Sequence, residues 1–118
     1  MFEDFSDWLD TQLEDGLPDG EGICFNLYED GDSHWSIELS VSDTFDEEDD
    51  EWAAEATYTS DETYNWKQDD EWDDVLEDAI QVLIKYLNNG KFADFLKENY
   101  KGIAAGFVDG DLELLYMA

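Results

Sequence analysis

His34-Trp35-Ser36-Ile37-Glu38-Leu39-Ser40-Val41 alternates bulky apolar side chains with small or charged ones. Trp35, Ile37, Leu39 and Val41 share one face; Ser36, Glu38 and Ser40 share the other. A strict period of two is the signature of a half-buried β-strand. Just upstream, residues 23–28 (Ile-Cys-Phe-Asn-Leu-Tyr) form a second apolar run. The two runs are joined by Glu29-Asp30-Gly31-Asp32-Ser33, and Asp-Gly between apolar runs is a hairpin signal. A sheet built on this hairpin decides the fold class.

Working outward, Phe2, Phe5, Trp8, Leu9 and Leu13 recur at helical spacing with acids between them, which predicts an amphipathic helix over about 2–14. Gly16, Pro18 and Gly20 end it. After the hairpin, residues 42–51 are too acidic to pack and read as a loop. A third strand is predicted at 52–59, with Trp52, Ala54, Ala56 and Tyr58 inward. Residues 60–71 are again polar and acidic, and their Tyr64 and Trp66 either cover the core or project toward a partner. Trp52 and Trp72 read as core.

From Trp72 to Asn88, the residues Leu76, Ile80, Leu83 and Leu87 mark a strong helix, with Val75, Ala79 and Tyr86 beside them. Gly90 reads as its C-cap. A short helix carrying Phe92, Phe95 and Leu96 follows, and strands at 103–108 and 112–116 enclose Asp109-Gly110-Asp111. The small side chains of Ala104-Ala105-Gly106 leave room for another element to approach that backbone. The order α-β-β-β-α-α-β-β predicts one α+β domain over 1–118. It would be an antiparallel sheet of about five strands with helices packed on one face.

The charge is the second decisive feature. Thirty-four of 118 residues are Asp or Glu, five are Lys and none is Arg, a formal net charge of −29. Small soluble domains carry a net charge of roughly 2–8 in magnitude, and self-repulsion at this density opposes folding. Disorder is the usual outcome of high charge with low hydrophobicity, but 42% of these residues are hydrophobic and five are Trp. Seventeen of the acids lie between Asp43 and Asp78, opposed only by Lys67. So polarised a surface repels nucleic acid and anionic lipid. No stretch has the ~18 apolar residues of a membrane span, the opening Met-Phe-Glu-Asp-Phe lacks a signal-peptide pattern, and one cysteine forms no internal disulfide. A cytoplasmic protein is expected.

Catalytic patterns are sparse. A nucleophilic pair would have to join Cys24 to His34, the only residues of their kinds, and a third group would have to orient them. There is no phosphate-binding or dinucleotide-binding glycine motif and no serine elbow. Asp30-Gly31-Asp32 and Asp109-Gly110-Asp111 place Gly wrongly for a calcium loop, and one Cys with one His falls short of a zinc set. No enzyme, cofactor or specific metal site is therefore expected. Salt adaptation yields acidic surfaces too, but the seven Phe, six Tyr and five Trp fit it poorly.

Electrostatic capture of a basic protein accounts for more of the sequence. A concentrated negative field raises association rates about 10- to 1000-fold, and aromatics beside it supply anchoring contacts. The expected interface comprises Asp46, Glu47, Glu48, Asp49, Asp50, Glu51, Asp61, Glu62, Tyr64, Trp66, Asp69, Asp70, Glu71, Asp73 and Asp74. Two alternatives are a mimic of DNA that sequesters a nucleic-acid-binding protein, and a divalent-cation-binding protein.

Four segments also carry a resemblance. Asn26-Leu27-Tyr28-Glu29-Asp30, Trp35-Ser36-Ile37-Glu38-Leu39, the run from Asp46 to Trp52-Ala53, and Gly102-Ile103-Ala104-Ala105-Gly106-Phe107-Val108-Asp109-Gly110-Asp111-Leu112 together resemble small acidic immunity proteins of bacterial polymorphic-toxin and contact-dependent inhibition systems. That resemblance implies stoichiometric, non-enzymatic neutralisation of a cognate toxin domain, often a basic nuclease, in the cytoplasm.

Overall fold

The computed structural model describes residues 2–108 and 110–118. The chain runs α1 (Phe2–Glu14), β1 (Gly22–Gly31), β2 (His34–Ser42), α2 (Glu51–Ala54), β3 (Ala56–Thr59), β4 (Tyr64–Lys67), α3 (Trp72–Asn89), α4 (Ala93–Asn99), β5 (Gly102–Phe107) and β6 (Glu113–Met117). The fold is α+β. Its six-stranded sheet has the order β3-β2-β1-β5-β6, with β4 paired to β2 beside β3.

The β1–β2 hairpin forms as its alternation requires, with Phe25 opposite Leu39 and Leu27 opposite Ile37. Its turn closes on two residues, Asp32 (φ 53°) and Ser33 (φ 63°), both left-handed. A primed two-residue turn matches the twist of the strands it joins.

The sheet is mixed, not antiparallel throughout: β5 runs parallel to β1, pairing Gly22 with Gly102 through Leu27 with Phe107. The helical connection through α3 and α4 brings the chain back to the sheet in the direction of β1, as parallel pairing requires. β1 thereby becomes a central strand, which explains why its apolar run does not alternate cleanly.

Two other expectations are corrected. Residues 51–54 form the short helix α2, not the start of a strand. The Trp52 side chain anchors that turn by packing with Cys24 and Ala104 on the sheet face opposite the other helices. Within the supposed 60–71 loop, Tyr64–Lys67 adds a sixth strand opposite 34–37 of β2. Asp109, in the turn expected at 109–111, lies outside the described residues.

The main core sits between the sheet and helices α1, α3 and α4. Phe5, Leu9 and Leu13 of α1 meet Ile23, Phe25, Ile37 and Leu39 of the sheet, and Leu83, Tyr86 and Leu87 of α3. Tyr86 is fully buried, and its hydroxyl donates to Asp10 Oδ1 at 2.6 Å, tying α3 to α1. On the opposite face, the 43–50 loop brings Phe45 against Gly102, where any side chain would collide with the ring. The small residues of β5 do admit close neighbours. Ala104 lies under Trp52, and a Cβ on Gly106 would stand 2.6 Å from the Asp111 carbonyl.

Candidate functional site

The expected acidic interface is divided by the sheet. The 46–51 acids follow Ser42, at the end where β1 and β5 begin, and Asp46 and Glu47 lie beside Lys101 and Met117. The 69–74 acids follow β4, whose Lys67 pairs with His34 at the far end of β2. The nine residues of β2 set these clusters apart by about 3.3 Å per residue, close to 30 Å. Asp61 and Glu62 are exposed between β3 and β4, partway along the same edge. A partner touching all of them must span the length of the sheet.

Tyr64 leaves the expected interface. It is only 8% exposed, and its ring meets Phe5 edge-on at 5.5 Å. It lies opposite Ile37 in the ladder, and that position points into the core. Burial raises its phenol pKa, and the nearby Asp4 carboxylate adds to the rise. Trp66 is half-buried, stacked on Tyr64 with ring centroids 5.6 Å apart.

Trp72, expected in the core, faces solvent at 58% exposed. It begins α3, near the ends of the strands, where the sheet covers only part of it. Its indole rests edge-on against Phe107 (6.2 Å), and Phe107 contacts Trp35 (5.8 Å). Together with Leu27, Tyr28, Glu29, Val108 and Gly110, Trp72 and Phe107 line a cleft of about 460 Å³ at the C-terminal ends of the parallel pair. Val108 is exposed as well.

Glu29 is the acid that lines this cleft, and the residues flanking Trp72 in the chain form an internally ordered acidic cluster. Trp35 Nε1 donates to the Gln68 carbonyl (2.9 Å), and Trp66 Nε1 donates to Gln68 Oε1 (3.0 Å). The Gln68 amide donates to Asp70 Oδ2 (2.9 Å) and Asp78 Oδ2 (2.8 Å). Ser33 of the hairpin turn donates to Asp69 Oδ1 at 3.4 Å. Gln68 thus fixes two carboxylates without neutralising either. Asp73 and Asp74 occupy the first turn of α3, where the helix dipole favours each by about 0.3–1 kcal/mol. Among the described residues, Lys91 pairs with Glu14 and Lys101 with Glu21, and neither pair involves the 46–51 or 69–74 acids.

On the opposite sheet face, a second groove of about 470 Å³ runs past Tyr28, Glu38 and Asp50. Glu38 Oε1 accepts from the Tyr28 hydroxyl (3.2 Å) and the Asn26 amide (3.3 Å). Cys24 lies beneath, buried, its thiol donating to Asn26 Oδ1 at 3.1 Å. Burial pushes the thiol up to about 12, with Asp50 and Glu38 adding to the rise, so the reactive thiolate is suppressed. Cys24 pairs with Ser40, whereas His34 pairs with Gly31; six residues of strand, about 20 Å, separate them and no dyad forms. Among the described residues, no group of three or more His, Cys, Asp or Glu side chains is arranged to hold a metal ion, and no helix is long and apolar enough to cross a membrane.

Sequence reasoning missed Gln68, Phe107 and Val108. Gln68 had no signal beyond its place among acids. Phe107 and Val108 have the pattern of ordinary strand residues, and their place in the cleft depends on where the parallel pair ends. No family model, curated protein or solved structure matches the chain.

Proposed function

We propose that this protein is a non-enzymatic immunity protein that neutralises a basic cognate toxin domain, such as a nuclease, in the cytoplasm. The observation that carries the reading is an exposed Trp lining a cleft and flanked in the chain by ordered carboxylates that, among the described residues, pair with no lysine. A buried aromatic anchor surrounded by complementary charge is the recurrent energetic centre of a protein interface. A partner's Arg or Lys stacked on the Trp72 indole would gain a cation–π contact, and the carboxylates flanking Trp72 in the chain would pair with its neighbouring cations. The Asp46–Glu51 cluster, at the other end of the sheet, contributes long-range attraction, which acts over about a Debye length and favours encounter more than affinity. Binding would also relieve the self-repulsion of the free protein.

Affinity capture from the source organism's lysate tests this reading. One basic protein domain retained at moderate salt is the expected result. A ladder of DNA-binding proteins shed together as salt rises would favour the DNA mimic instead, and an empty column would overturn the proposal.

A further inference from the structure

β6 is an edge strand: it pairs with β5 on one side and ends the sheet on the other. Its outer row of backbone N–H and C=O groups has no strand beside it. Helix α3 carries two apolar rows. Val75, Ala79, Leu83 and Tyr86 face the core. Leu76, Ile80 and Ile84, four residues apart, form a second row, and this row lines a groove of about 560 Å³ with Leu114 and Leu115 of β6. Ile84 is 37% and Leu114 is 44% exposed. The helix therefore overhangs the sheet, which is one strand short of covering it.

We infer that the groove between α3 and the free edge of β6 accepts an extended, basic segment of the partner protein as an added strand. The inference rests on the functional reading above and names how that partner is held. Three acids, Asp73, Glu77 and Glu113, border the groove and no lysine does, so a segment alternating apolar and cationic residues matches it on both counts. Its backbone would complete the β6 ladder, its apolar side chains would cover Ile84 and Leu114, and its cations would meet the rim. A second copy of this chain is the wrong occupant, because each copy carries a net charge of −29. The register shift opposite Ile103/Ala104 also breaks the flat edge that self-pairing favours.

The test uses the full chain and a capped octapeptide alternating Lys and Val. Two controls of equal charge are a block peptide of four Lys followed by four Val and the same alternating peptide N-methylated at every second residue. The expected result is at least tenfold slower hydrogen exchange of β6 amides with the alternating peptide, and at least tenfold weaker binding of both controls. Ile84→Glu and Leu114→Glu, both at exposed positions, should weaken binding tenfold although each adds negative charge. Equal binding of the block peptide or of the N-methylated peptide would overturn the inference, as would unchanged β6 exchange. A basic protein captured from cells that leaves β6 exchange unaltered would also overturn it while leaving the functional reading intact. Protection of β6 by the peptide, with no basic protein captured, would uphold the strand acceptor and sink the immunity reading.

Discussion

Trp72 and Trp52 make an internal control. A little under half of the Trp72 side chain is covered, about 100 Å² of the roughly 250 Å² a Trp can bury. At about 25 cal/mol per Å², Trp72→Ala removes at most about 2.5 kcal/mol. Trp52 is only 5% exposed and packs against Cys24, Ala104 and the Phe45 ring at 5.1 Å. Trp52→Ala should cost about 3–5 kcal/mol, the usual range for a buried aromatic. Urea denaturation at one salt concentration compares the two variants, with the slope checked for two-state behaviour. If Trp72→Ala destabilises as much as Trp52→Ala, Trp72 is a structural residue and the cleft loses its anchor. With the captured partner in hand, the order should invert: an anchor of this kind contributes about 2 kcal/mol or more to binding, so Trp72→Ala should weaken the complex about thirtyfold.

Alkaline pH should expose the buried thiol. Its pKa is raised from 9.0 to about 12 in the fold, so its contribution is complete below pH 9 and is lost as pH climbs from there toward 12. Cys24→Ala should therefore flatten the urea stability profile by about 2 kcal/mol at pH 10.5; parallel profiles would contradict the burial argument. Raising salt from about 0.05 to 0.5 M should stabilise the free protein by shortening the Debye length severalfold, and a flat melting temperature would mean the acids are locally compensated. Gly102→Ala drives a methyl group into the Phe45 ring and should lower stability by about 1–3 kcal/mol, read as a drop in melting temperature; an unchanged transition would show that the 43–50 loop yields freely.

The parts of this fold legible in the sequence are those set by local pattern. The Trp35-to-Val41 alternation and the apolar face of α3 each follow from spacing alone, and the Asp-Gly signal marks the hairpin although Asp30 and Gly31 belong to β1 and the turn falls on Asp32 and Ser33. What was hidden depends on distant partners. Nothing in residues 102–107 says that β5 will lie parallel to β1, because that pairing is decided by the helical crossover. Tyr64–Lys67 is four residues long and flanked by acids, so its strand exists only because the β2 edge is free to receive it. Trp52 fits a strand or a one-turn helix equally well until Cys24 and Ala104 are placed beneath it. The site divides in the same way. Its acids were visible as composition, whereas the cleft depended on α3 starting near the strand ends, which leaves Trp72 outside the core.

The account's central claim is that ordered carboxylates around Trp72 capture a basic protein. Association kinetics with the captured partner test it most directly, using the wild-type protein and a variant carrying Asp69→Asn, Asp70→Asn, Glu71→Gln, Asp73→Asn and Asp74→Asn. The account predicts a wild-type association rate that falls at least tenfold between about 0.05 and 0.5 M salt, and a variant that folds normally but associates at least tenfold more slowly at the lower salt. Equal rates for the two proteins, with the same weak response to salt, would contradict it.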